Sequence, residues 1–68
     1  MKEWKIIAYN GKKHIATWTY DEMKDAKRAW SHLDRKRTTI DTGDSVDRAQ
    51  LLQPNGDIYY LGEGVRWR

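Results

Sequence analysis

Two alternating segments, each carrying an Asn-Gly dipeptide, enclose one stretch of helical periodicity, and this order restricts the chain to a small set of α+β folds. In the first segment Trp4, Ile6 and Ala8 alternate with Glu3, Lys5, Ile7 and Tyr9 ahead of Asn10-Gly11. Both turn residues tolerate positive φ, which a two-residue turn between twisted strands demands. A turn centred there sets Tyr9 opposite Lys12, Ile7 opposite His14 and Ile6 opposite Ile15. One face then carries Trp4, Ile6, Ala8, Ile15 and Thr17. The other carries Lys5, Ile7, Tyr9, Lys12, His14, Ala16, Trp18 and Tyr20, and a one-residue slip exchanges some of these assignments.

The pattern predicts a helix over residues 20–36. Thr19 and Glu22 have the spacing of a capping box, in which each side chain satisfies a free backbone N–H. Asp21, Glu22 and Asp25 near the start, and Arg35, Lys36 and Arg37 near the end, complement the helix dipole. Met23, Ala26, Trp30 and Leu33 recur every three or four residues and form one apolar stripe. Lys24, Lys27, Arg28, Ser31 and Arg35 lie on the opposite side.

Residues 38–47 are rich in short polar side chains and read as a loop. A second hairpin follows over 48–61, with Pro54-Asn55-Gly56-Asp57 suited to a type I turn closed by a left-handed glycine. Gly62-Glu63-Gly64 is expected to break the return strand before a short tail strand at 65–68. The expectation is a single ββαββ domain: hairpin 3–20, helix 20–36, loop 38–47, hairpin 48–61, and the helix on one face of an antiparallel sheet. The other face is left open, and what lies on it is the main functional question.

At 68 residues there is room for one core, and such a chain buries only about 60% of its unfolded surface. With no cysteine, neither a disulfide nor a thiolate zinc site supplements that core. Four tryptophans and four tyrosines supply the bulk, and with the periodicities they argue against the disorder that 34% charged residues would otherwise suggest. No apolar run approaches membrane-spanning length and the first residues do not begin a signal peptide, so the expected location is the cytoplasm.

The formal charge of +3 is unevenly spread. Residues 1–20 carry net +3 and residues 21–37 net +2, whereas residues 38–57 carry net −3. Catalytic chemistry finds no support in this pattern. Ile40-Asp41-Thr42-Gly43 resembles the active-site tripeptide of aspartic proteases, but it covers four residues and is followed by Asp44. A proton-sharing dyad also needs two such carboxylates on sizeable lobes, for which this chain is too small. Asp41, Asp44 and Asp47 lack the glycine and glutamate of a calcium loop. Ser31 and His32 are helix neighbours that do not face each other, and Gly62-Glu63-Gly64 lacks the context of a phosphate loop.

A non-enzymatic binding module is therefore expected, with no metal, no cofactor, no small-molecule substrate and no membrane partner. The leading partner is nucleic acid, or nucleic-acid machinery. Lys24, Lys27, Arg28 and Arg35 on the helix, or Lys5, Lys12 and His14 on the sheet, are the candidate phosphate contacts, with the acidic loop 41–47 lying away from them. The alternative is a protein-binding inhibitor or adaptor, such as a mobile-element accessory protein. It would use an edge strand or an exposed aromatic face, with Tyr9, Trp18, Tyr20 and Trp67 as candidates. A hairpin feeding a capped helix, with Trp18 and Tyr20 just before the cap, resembles the small β-sheet DNA-binding domains of phage-type integrases over about half the chain. Those domains place three strands before the helix, where this chain has two.

Overall fold

A computed structural model describes residues 3–39 and 43–63, together with the backbone of residues 66–67. The elements in chain order are β1 (Trp4–Asn10), β2 (Lys13–Tyr20), α1 (Met23–Lys36), β3 (Arg48–Leu52), β4 (Ile58–Glu63) and β5 (Arg66–Trp67). The fold is α+β with the expected ββαββ order. The strands form one antiparallel sheet in the order β2-β1-β3-β4-β5, so the two hairpins join through the central pair β1 and β3. The tail adds its two residues to β4 opposite Gly62 and Glu63. Gly62 does not break β4; it is buried within the strand, paired with Ala49.

The first turn sits one residue later than the sequence suggests. Asn10 pairs with Lys13, which leaves Gly11 and Lys12 as the loop, and Gly11 takes the positive φ (63°) of its first position. Moving the turn along both strands by one residue does not change which side chains share a face. A bulge does. Ile15 is the extra residue between the pairs Tyr9–His14 and Ala8–Ala16, and from there Ile6 faces Trp18 and Trp4 faces Tyr20. Trp18 and Tyr20 therefore lie on the face of Ile6 and pack against the core, with Ile15. Thr17 goes to the opposite face with Ile7, which reverses the expected assignment for these residues.

The second hairpin turns as expected. The Gly56 N–H donates to the Gln53 carbonyl at 2.8 Å, and Gly56 sits at φ 96°. A second bulge follows, in which Tyr59 is the extra residue between Leu51–Tyr60 and Leu52–Ile58. It brings Tyr59 and Tyr60 to the helix side, their rings 4.6 Å apart. Trp4 meets Tyr59 edge-on at 5.3 Å, and Trp30 lies 5.9 Å from Tyr60, so a file of rings closes one flank of the helix.

Strand β2 continues through Tyr20, so the helix begins at Met23 and Glu22 is its N-cap, without a side-chain cap bond. The expected capping box does not form, because Thr19 is held in the sheet opposite Lys5. Pairing of Tyr20 with Trp4, and its packing against the core, outweighs one capping bond. Met23 is 44% exposed, on the first turn beyond the sheet edge, while Ala26, Trp30 and Leu33 are buried as the stripe requires. The helix ends on Arg37 in the left-handed region (φ 55°), whose N–H donates to the Leu33 carbonyl at 2.6 Å.

Ile6, Ala8, Ala49 and Leu51 of the central strands, with Val46 and the helix stripe, make the core. Replacing Trp30 by alanine should cost about 3–5 kcal/mol, enough to unfold a domain of this size. A thermal melt of Trp30→Ala followed by circular dichroism measures it, and an unchanged melting temperature would contradict this packing.

Candidate nucleic-acid interface and the open sheet face

The helix buries Ala26, Trp30 and Leu33, and an α-helix advances about 100° per residue. Lys24, Lys27, Arg28, Ser31 and Arg35 then fall within a sector of about 100° pointing away from the sheet, with no carboxylate inside it. Lys24, Arg28 and Arg35 are exposed. Lys27 is half-buried, with its ammonium 5.8 Å from the centre of the Tyr59 ring. At the N-terminal end of the sector Lys24 Nζ lies 3.8 Å from Glu22 Oε1, a contact of two exposed side chains that contributes little. The four cations thus form a ridge about 16 Å long.

The sheet-borne cations do not join this ridge. Lys5 is exposed on the face opposite the helix, paired with Leu52, and His14 lies on that same face opposite Tyr9. Lys12 occupies the first turn. The acidic loop does not lie away from these groups. Asp47 Oδ1 and Oδ2 accept from the Gly11 N–H at 2.9 and 2.8 Å, the Asp47 N–H donates to the Tyr9 carbonyl at 3.0 Å, and Asn10 Nδ2 donates to the Ser45 carbonyl at 3.3 Å. Asp44 and Ser45 line an open depression with Lys13 and His14. The described ends of the loop pair with each other and with the helix end: Thr38 bridges Ser45, the Thr39 N–H donates to the Asp44 carbonyl, and the Val46 N–H donates to the Arg37 carbonyl. Carboxylates are therefore held beside the first turn and His14, while on the helix Asp34 and Asp25 flank the cations beside Lys27 and Arg28 without entering their sector.

The open sheet face is aliphatic at its centre. Ile7, Gln50 and Leu61 line up across β1, β3 and β4, with Leu52 and Ile58 beside them. Ile58 and Leu61 are 53% and 39% exposed. Of the aromatic candidates whose side chains are described, only Tyr9 is here; the Arg48 guanidinium stacks on its ring at 4.7 Å, and His14 meets it at 5.9 Å. Arg48 Nε is buried without a hydrogen-bond partner among the described residues. Trp18 and Tyr20 are on the helix side. The Trp67 side chain and residues 40–42 lie outside the described residues.

Sequence reasoning missed Ile7, Leu52, Ile58 and Leu61 as a surface. Alternation would place Ile58 and Tyr60 on one face, and only the bulge at Tyr59 separates them. Among the described residues no cluster of histidine and acidic side chains is arranged to hold a metal, and no helix is long and apolar enough to cross a membrane. Comparison with known proteins finds no match to a protein family, to a curated protein or to a solved structure.

Asp47 joins the loop to the first turn through a bidentate acceptor on one N–H. Asp47→Ala should lower stability by about 1–2 kcal/mol, the range for losing charge-assisted bonds at an exposed site. Urea unfolding would measure it, with amide exchange at Gly11 accelerating in parallel.

Proposed function

We propose that this domain is a non-enzymatic module that binds nucleic acid through the outward ridge of α1. The observation that carries this reading is that Lys24, Lys27, Arg28 and Arg35 share one sector of the helix with no carboxylate among them. The acidic loop is meanwhile tied down beside the first hairpin. Phosphate neutralisation releases counterions, so four contacts on duplex DNA correspond to a salt slope of about −3.6. The ridge offers cations and one serine but no aromatic platform. That composition suits backbone contact with little preference for base sequence.

A second reading is a protein partner on the open sheet face, favoured by the exposure of Ile58 and Leu61 beside Ile7 and Leu52. The exposed centre of the surface is aliphatic, with Tyr9 capped by Arg48 to one side, so an apolar protein patch suits it better than stacked bases.

Lys27→Glu combined with Arg28→Glu should weaken binding to a duplex at least tenfold, nearly uniformly across sequences, and flatten the salt slope by about 2. Fluorescence anisotropy over a salt series reads both quantities, and the fold should persist because neither residue belongs to the core. Absence of wild-type binding at low salt would dismiss the ridge. Ile58→Lys with Leu61→Lys then becomes the informative pair, since it abolishes an apolar docking face without touching α1.

A further inference from the structure

The strand order leaves β2 at one edge of the sheet. The Asp47 N–H donates to the Tyr9 carbonyl, so the backbone of Tyr9 is turned towards β3. Backbone direction alternates along a strand, which turns Trp4, Ile6 and Ala8 towards β2, and their partners Tyr20, Trp18 and Ala16 towards β1. The intervening Thr17 and Thr19 then present their N–H and C=O groups outward, and both residues are exposed.

Residues 16–20, Ala-Thr-Trp-Thr-Tyr, contain no charge, no proline and no bulge. These are the devices that normally prevent an edge from pairing with another chain. The opposite edge is treated differently: β5 covers Gly62 and Glu63, and the bulge at Tyr59 interrupts the run before them. A groove also runs between β2 and α1, lined by Tyr20, Asp25, Arg28, Ala29 and His32. Along this flank of the helix the carboxylate lies towards the N-terminus and the imidazole towards the C-terminus.

We propose that a second copy of this chain pairs with the β2 edge, antiparallel, about a two-fold axis passing beside Trp18. This register sets Thr17 of each copy opposite Thr19 of the other, so the outward N–H and C=O groups bond reciprocally. It also sets Ala16 against Tyr20, small against large, on the helix side. The same axis makes the two helices antiparallel. The helix dipoles of the two copies then oppose. Thr17-Trp18-Thr19 reads the same in both directions about the axis, so the edge matches itself in bonding and in size, which favours a second copy over an unrelated strand. The proposal is independent of nucleic-acid binding, although the dimer would set two basic ridges side by side.

Sedimentation equilibrium over micromolar to millimolar protein, with amide exchange at Thr17 and Thr19, tests it. The wild type should dimerise, and both amides should slow as concentration rises. Thr17→Lys with Thr19→Lys opposes like charges across the axis and should weaken the dimer at least tenfold. Thr17→Lys with Thr19→Glu opposes unlike charges and should retain it. A wild type that stays monomeric to millimolar concentration overturns the proposal, as do two double variants that dimerise equally. If a variant fails to fold, the wild-type exchange decides alone: rates independent of concentration overturn the pairing.

Discussion

The helix reaches the sheet through small residues. Ala8 and Ala49 are paired across the two central strands, and both are fully buried, as is Ala26 on the helix face above. Their size lets the backbones approach, and Leu33, Ile6 and Leu51 fill the remaining space with no exposed surface. Burying each of these larger side chains contributes roughly 1.5–3 kcal/mol against the entropy of ordering the chain. The β1–β3 pairing joins the two hairpins into one sheet, and with no cysteine in the chain this packing of helix on sheet is what covers it. Every surface described above is oriented by it, since it decides which side of α1 and which side of the sheet face outward.

The two bulges then distribute chemistry between those sides. Each adds one residue to an outer strand of its hairpin and so returns consecutive residues to the helix face: Ile15 with Ala16, and Tyr59 with Tyr60. The aromatic residues gather around the helix as a result, and the file Trp4–Tyr59–Tyr60–Trp30 closes one flank. The open face keeps Ile7, Leu52, Ile58 and Leu61, with Tyr9 under the Arg48 guanidinium beside them. Trp18 and Tyr20 are thereby withdrawn from the open face, and aliphatic side chains are left at its centre. Nucleic-acid recognition, if this domain performs it, shifts to the cations of the helix.

The loop between α1 and β3 contributes through charge. Pairing of Thr38 with Ser45, burial of Thr39 and Val46, and the bonds from the Gly11 N–H to Asp47 make its described residues a bracket. It joins the helix end to the first turn and holds Asp44 and Asp47 near Lys13 and His14. The net positive charge is consequently expressed most cleanly along the outward side of α1, where no such bracket reaches.

Much of the architecture was legible in the chain itself. The stripe of Ala26, Trp30 and Leu33 specified a helix and its inner face, because side chains three and four apart necessarily share a side. Pro54-Asn55-Gly56 specified its turn, because proline and glycine admit so few backbone conformations. The outward cations of the helix followed from the same periodicity. Other features depend on distant partners. Thr19 and Glu22 have the local chemistry of a cap, yet Thr19 is claimed by Lys5 across the hairpin, an energy that exists only once β1 is in place. No residue type announces the bulge at Ile15 or at Tyr59. Each arises where a strand must place its large side chains over a helix far away in sequence, and the cost of one unpaired residue is offset by that burial. Since side chains alternate with period two, one such residue moves all that follow it to the other face. Which hairpin face is covered and which is open was therefore decided by tertiary packing, while the sequence by itself determined that there would be two hairpins, one helix and one face left over.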